Sequence, residues 1–250
     1  MQLPWDKRVA RLWCTLFRNR EERKEPGAFL TADCRGNLRR IHAQFQNDHK
    51  GLHLRAGTEP EMMWLKKDEN GKPNGGFSRP YCYHIDQFES LRPVYMRVIE
   101  YCRKMGLDMI QGDHEDAPGQ LELNWTFDDV LRNADRLTTY RQVCAQVARE
   151  FNLIACFMSK PFMGVSASGC HHNISFWHGG EDKMNRLGND AKNLPGMEHN
   201  FMYRKGGENT FMPDTDDLQM PGKVGLQVVG GIVKHLGALT AIGCSTVNSY

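Results

Sequence analysis

Glu115-Asp116-Ala117-Pro118-Gly119-Gln120-Leu121-Glu122 is the stretch around which the rest of the chain is organised. Pro118 presets φ at the first central position of a type II turn, and Gly119 tolerates positive φ at the second. In tight register Ala117 faces Gln120, Asp116 faces Leu121 and Glu115 faces Glu122. Two carboxylates then share a face, and like charges directly opposite destabilise a sheet. Such a pair makes sense where a cation lies between them. The plainer reading is a surface turn with two solvated glutamates, and two-residue hairpins favour primed turns over Pro-Gly.

A second carboxylate pair lies upstream, in Gly57-Thr58-Glu59-Pro60-Glu61-Met62-Met63-Trp64, within a strand-like run from Leu52 to Leu65. Residues two apart share a strand face, so Glu59 and Glu61 point together and Pro60 points away. Two carboxylates on an otherwise apolar strand cost free energy unless something positive compensates them. An edge strand with one solvated face is the alternative. Downstream, a buried-looking strand from Leu153 to Met158 runs into Lys160-Pro161-Phe162-Met163-Gly164-Val165-Ser166-Ala167-Ser168-Gly169-Cys170-His171-His172-Asn173. The small residues from Gly164 to Gly169 let backbone approach a ligand closely, and the strand resuming at Cys170 carries histidines at its start. Taken singly, such a histidine pair reads as polar surface.

Helical signals surround these strands. Asp33 is a suitable N-cap for a helix carrying Leu38, Ile41 and Phe45 and closed near Gly51. Val94, Val98, Tyr101 and Met105 mark a second helix, with Gly106 as its C′ residue, and Leu107 to Ile110 leads as a strand into the opening motif. Thr126-Phe127-Asp128-Asp129 resembles a helix start, followed by a face of Tyr140, Val143, Cys144, Val147 and Phe151. Leu226, Val229, Val233, Leu236 and Leu239 make the last helix. Residues 66–80 and 178–222 read as loops from their Gly, Pro, Asn and Asp content. At the N-terminus, Ala10, Leu12, Cys14 and Leu16 alternate over residues 9–17 as in a half-buried strand, and a second short strand is expected from Ala28. A chain starting in mid-sheet reads as the tail of a small β domain whose earlier strands are absent.

The composition is that of an ordinary globular protein, with 40% hydrophobic and 25% charged residues. Lys+Arg 32 against Asp+Glu 30 leaves a formal charge of +2, which gives no electrostatic reason to expect a nucleic-acid or membrane partner. The eight cysteines are scattered without a CxxC pair, as expected of free thiols in a reducing cytoplasm. No apolar signal region follows Met1. The most apolar window, Val224 to Gly243, is interrupted by Lys234 and His235, so a packed helix is expected there and no membrane span.

Glu-x-Glu, then two glutamates across a turn, then a small-residue loop ending in histidine form an ordered set. In that order the chain resembles the glutamine synthetase superfamily in its bacterial type I arrangement. The motifs that carry the resemblance are Glu59-Pro60-Glu61, Glu115 to Glu122, Lys160-Pro161, Ser168-Gly169-Cys170-His171 and Asn248-Ser249-Tyr250. The wording of residues 159–173 is most similar to the branch of γ-glutamylmethylamide synthetases and type III enzymes. The resemblance implies an α+β fold: a curved, mainly antiparallel sheet with helices on its outer face and the carboxylates on its concave side. Residues 31–250 would be the N-terminal part of the catalytic domain, and residues 1–30 the last strands of a β-grasp-like domain. It further implies two Mg²⁺ or Mn²⁺ ions, the first held by Glu61, Glu115 and Glu122, the second by Glu59 and His171. Ser166, Ala167 and Gly169 would contact substrate glutamate, and Asn173 and Ser175 the nucleotide. The implied activity is ATP-dependent joining of ammonia or methylamine to glutamate through γ-glutamyl phosphate, in a cytoplasmic, ring-forming homo-oligomer.

Three positions depart from the family pattern: Asn173 stands where a phosphate-contacting histidine is common, and Ser166-Ala167 where Asn-Gly is usual. The segments that carry the family's arginines and its last metal ligand have no counterpart in the sequence, nor do the early N-terminal strands, so the chain is expected to be a fragment, inactive by itself. The competing reading is a catalytically silent relative with a structural or regulatory role. A silent relative has no chemical need for Glu59, Glu61, Glu115, Glu122 and His171 together. The guanidino kinases share this architecture in part, but their cysteine-and-arginine site has no counterpart in the sequence.

Overall fold

The computed structural model describes residues 1–18, 30–75, 82–179, 207–213, 220–244, 246, 247 and 249. The elements begin with β1 (Gln2–Leu3), β2 (Asp6–Ala10), α1 (Cys34–Asp48), β3 (His53–Lys67), β4 (Pro73–Asn74), α2 (Ile85–Ser90) and α3 (Arg92–Lys104). There follow β5 (Met109–His114), β6 (Gln120–Trp125), β7 (Asp128–Asp129), α4 (Val130–Glu150), β8 (Ile154–Cys156), β9 (Cys170–His178) and β10 (Glu208–Asn209). Two helices close the chain, α5 (Lys223–Lys234) and α6 (Leu236–Gly243). These residues divide into two compact units, and β3, α4 and β9 each run from one into the other.

The first unit comprises Met1–Ala56, Phe127–Asp135 and Ile174–Thr210. β1 and β2 form an antiparallel hairpin. The strand expected over residues 9–17 is not formed: β2 ends at Ala10, and residues 11–16 are irregular. Leu12 and Leu16 are exposed, so the alternating face has nothing to bury against. The strand expected from Ala28 falls outside the described residues. α1 begins after Asp33, whose carboxylate accepts the Leu16 N–H at 3.0 Å. It ends before Gly51, which has a positive φ of 80°. Phe45 on this helix stacks on Phe176 with centroids 4.9 Å apart, whereas Ile41 is exposed. β7 pairs with the start of β3, and β10 with the end of β9, both antiparallel.

The second unit comprises Gly57–Thr126, Arg136–Asn173 and Phe211–Tyr250. β3 is its central strand. β6 pairs with it antiparallel, with Glu61 opposite Glu122 and Met63 opposite Gln120. β8 pairs with its far end and β4 folds back on its last residues, so part of the loop expected over 66–80 is a short hairpin. β5 pairs with β6 and closes that edge. The antiparallel sheet carries a continuous core because β3 is buried on both faces beyond Glu61: Met62, Met63, Trp64 and Leu65 are all buried. Met63 and Leu65 cluster with Ala117 and Cys156. Glu59 and Glu61 therefore share the parity of an apolar half-face, at the point where it turns polar.

α3 takes the expected face, with Val94, Val98 and Tyr101 buried and Gly106 at a φ of 79° after it. α4 follows β7 and buries Tyr140, Val143, Cys144 and Val147. Tyr101 Oη donates to Glu150 at 3.0 Å and joins the two helices, while Trp125 packs on Tyr140 with centroids 5.4 Å apart. The single last helix expected from the sequence is two helices bent by 74° at His235. Gly230, Gly231 and Gly237 flank the break and hold a helix poorly. Leu226, Val229, Val233, Leu236 and Leu239, expected to be packed, are exposed. Among the described residues no single helix is long and apolar enough to cross a membrane.

Candidate active site

The hairpin between β5 and β6 differs from its expected register. Asp113, and not Glu115, stands opposite Glu122, and Glu115 N–H bonds to Gln120 O at 2.9 Å. Pro118-Gly119 does make the turn, with Gln120 N–H on Ala117 O at 3.0 Å and Gly119 at φ 71°. A type II turn does not match the twist of a tight hairpin. The ladder accordingly begins farther from the turn, at Glu115 and Gln120. A shift of two residues preserves side-chain parity, so Glu115 and Glu122 still share a face, diagonally.

That face also receives Glu59 and Glu61. Glu122 lies directly across from Glu61, is 8% exposed, and accepts a hydrogen bond from Asn124 Nδ2 at 2.7 Å. Burial raises its pKa, and Glu59 and Glu61 raise it further. Glu115 is pushed up to about 7, first by burial and then by Glu61 and Glu122.

The loop before β9 closes over Glu61 in a reciprocal pair: Glu61 N–H donates to Gly169 O, and Gly169 N–H donates to Glu61 Oε2, both at 3.0 Å. His171 follows, its Nδ1 3.8 Å from Glu59 Oε2 and 3.9 Å from Glu61 Oε1. Asn173 Nδ2 donates to Glu59 Oε1 at 2.7 Å. Ser166 Oγ donates to Asp116, and Ala167 contributes its carbonyl to Gln120. Ser175 belongs to the other unit, where its Oγ accepts from Trp177 Nε1 at 2.7 Å. Ser249 Oγ lies 3.3 Å from Ser159 Oγ, while Asn248 and Tyr250 fall outside the described residues.

Among the described residues, Glu59, Glu122 and His171 each offer one ligand atom, and these atoms lie within 4.8 Å of one another. Glu122 thus groups with the pair assigned to a second ion, while Glu61 and Glu115 adjoin it. Carboxylates plus one imidazole form a donor set that suits a hard divalent cation. Mutual repulsion among half-buried glutamates is what such a cation would relieve. Sequence reasoning had not singled out Gln120 and Asn124. The signal was available, since Gln120, Glu122 and Asn124 alternate along β6 and so put three polar side chains on one face.

The raised Glu115 pKa has a measurable consequence in metal-free protein. Its folded pKa exceeds its ordinary value of 4.5, so the folded state holds the proton more tightly. Stability is then greatest below pH 4.5 as far as this group is concerned, and falls as pH rises toward 7. With partial solvent exposure the loss is on the order of 1 to 3 kcal/mol. Urea unfolding in EDTA should show this slope, and Glu115→Gln should flatten it. An unchanged slope in the variant would remove Glu115 as its source.

Acidic residues and one histidine thus come together beside a glycine-containing loop of an antiparallel sheet, a donor set able to hold a divalent cation. The family described as glutamine synthetase, catalytic domain, matches residues 31–202 and 192–250, and the chain belongs to it. It is 32% identical over 251 residues to glutamine synthetase of Rhizobium leguminosarum bv. phaseoli, covering 100% of the chain and 50% of that protein. It is 32% identical over 206 residues to glutamate–methylamine ligase of Methyloversatilis universalis (strain FAM5), covering 80% and 40% respectively. The chain spans about half the length of the curated relatives it matches. A solved structure described as "Apo GmaS without ligand" superposes with a TM-score of 0.72 at 28% identity, covering 90% of this chain and 46% of that one. A second, "GmaS/ADP complex-Conformation 1", gives 0.69 at 28% identity, covering 86% and 44%. The expected α+β class with an antiparallel sheet is the fold of these neighbours.

Proposed function

We propose that this chain carries the glutamate and metal side of an ATP-dependent ligase that joins an amine to the γ-carboxylate of glutamate. The observation that carries the reading is the convergence of Glu59, Glu122 and His171, with Glu61 and Glu115 on the same face. Glu61, Glu115 and Glu122 would hold one Mg²⁺ or Mn²⁺, and Glu59 and His171 a second. Bound there, the pair of ions supplies charge neutralisation and orientation for phosphoryl transfer. A γ-carboxylate oxygen of glutamate attacks the γ-phosphorus of ATP as the bond to ADP breaks, giving γ-glutamyl phosphate. The amine nitrogen then attacks the carbonyl carbon of that acyl phosphate, phosphate departs with the bridging oxygen and the nitrogen gives up a proton.

The residues of this chain prepare those steps. Gly169 leaves room for the Glu61 carboxylate and the His171 imidazole, since a Cβ there would stand 3.0 Å from each. Ser166, held by Asp116, and the Ala167 carbonyl, held by Gln120, fix the loop proposed to line the glutamate site. Asn173 keeps Glu59 oriented by a hydrogen bond from its amide, without adding charge. Ser175 is proposed to serve the nucleotide, and the whole protein to assemble as a homo-oligomeric ring. The N-terminal 30 residues are proposed to belong to a separate β domain preceding the catalytic one.

Likeness to the methylamine ligase and to GmaS favours methylamine over ammonia. One methyl group is worth about 1 to 3 kcal/mol in a pocket, so a ratio of kcat/KM near 10 to 200 is available. On the full-length protein, kcat/KM for methylamine should exceed that for ammonia. A strong ammonia preference would make the protein a glutamine synthetase, and no amine-dependent turnover would leave a silent relative.

A further inference from the structure

Gln120 is 1% exposed and its amide group has four polar atoms within hydrogen-bond distance. Its Oε1 accepts the Ala117 N–H at 2.9 Å, inside the hairpin turn. Its Nε2 donates to Glu61 Oε2 at 3.2 Å, to Ala167 O at 3.0 Å and lies 3.1 Å from Ser168 Oγ. The orientation of the amide is fixed by chemistry: a backbone N–H demands the oxygen, while a carboxylate and a carbonyl demand the nitrogen. Glutamate in this place would lack the donor, and methionine would lack both groups.

Glu61 Oε2 is thus held twice, by Gln120 and by the Gly169 N–H at 3.0 Å. Glu61 Oε1 is left on the side of His171, whose Nδ1 is 3.9 Å away. We propose that Gln120 is a positioning residue: it pins one oxygen of Glu61 so that the other is presented to the ion, and it ties residues 167 and 168 to the same carboxylate. The turn, the metal-binding glutamate and the glutamate-side loop then move as one piece. Outer partners of metal ligands act in this way, by fixing ligand orientation before the ion arrives. The inference rests on the ligase reading, and its test separates the two.

The test uses Gln120→Glu and Gln120→Met in the full-length protein, with Mn²⁺ alone as probe and free Mn²⁺ read by electron paramagnetic resonance. Both variants should bind Mn²⁺ about 10- to 100-fold more weakly at one site. KM for glutamate should rise while KM for ATP stays within about threefold, a split that general loosening of the fold would not give. Near-ultraviolet circular dichroism of the metal-free variants should match wild type. Wild-type affinity in both variants would overturn the inference and leave the ligase reading standing, whereas a wild-type protein that binds no Mn²⁺ would overturn both. Loss of the metal-free fold in both variants would also contradict it, because the residue would then be a structural one.

Discussion

Glu122→Ala in the full-length protein is expected to lower amine-dependent ADP formation by about 100- to 1000-fold, the usual effect of removing one electrostatic contact to a developing charge. Glu122 is the side chain common to both groupings of the site. It faces Glu61 across the β3–β6 ladder, and its carboxylate lies with those of Glu59 and the His171 imidazole inside 4.8 Å. Without it, the remaining ligands on that side are one half-exposed glutamate and one exposed histidine. The fold should survive. Burial and two neighbouring carboxylates disfavour the ionised Glu122, so the isosteric Glu122→Gln removes a repulsion and keeps an oxygen for Asn124. In EDTA, Glu122→Gln should melt no lower than wild type while being as inactive as the alanine variant. Full activity in either variant would show that the reaction needs no ion held by Glu122.

Gly169→Ala should act in the same direction, from the loop beside Glu61. A Cβ at this position would stand 3.0 Å from Glu61 Oε1, 3.0 Å from His171 Nε2 and 3.1 Å from His171 Cε1. All three atoms are the ends of side chains, so the backbone need not move. The side chains that must yield are two proposed metal ligands. These side chains must give by a few tenths of an ångström; since about 1 Å of misplacement costs on the order of 100-fold, a loss of roughly 10-fold is expected. Thermal stability should fall little, since Gly169 is not in the left-handed region. A variant with normal Mn²⁺ affinity and normal turnover would show that Glu61 and His171 need not keep these places.

Local pattern exposed much of this arrangement and missed what depends on distant chain. Parity placed Glu59 and Glu61 together because a strand's period is two. The helix ending at Gly106 was legible because a residue with positive φ after an apolar helical face has one common meaning. The β5–β6 register was two residues off, because Pro-Gly fixes a turn type without fixing how many residues separate turn from ladder. The pairing of Glu61 with Glu122 joins strands about sixty residues apart, and no local periodicity encodes such a partner. The alternation of Gln120 with Glu122 is visible in the sequence, but its bonds to Glu61, Ala167 and Ser168 join segments that only the fold brings together. At the two ends, alternation over residues 9–17 and helical spacing over 226–239 were present, but the expected faces are exposed.

The central claim is that the carboxylate face serves phosphoryl transfer to glutamate, and isotope transfer tests it most directly. Full-length protein, ATP, Mn²⁺, amine and glutamate labelled with ¹⁸O in its γ-carboxylate should yield a γ-glutamyl amide and inorganic phosphate. The account predicts one ¹⁸O atom in each phosphate released, because the oxygen that attacks ATP leaves with the phosphoryl group. Phosphate formed at a normal rate without ¹⁸O would mean that water, and not glutamate, accepts the phosphoryl group, and would contradict it.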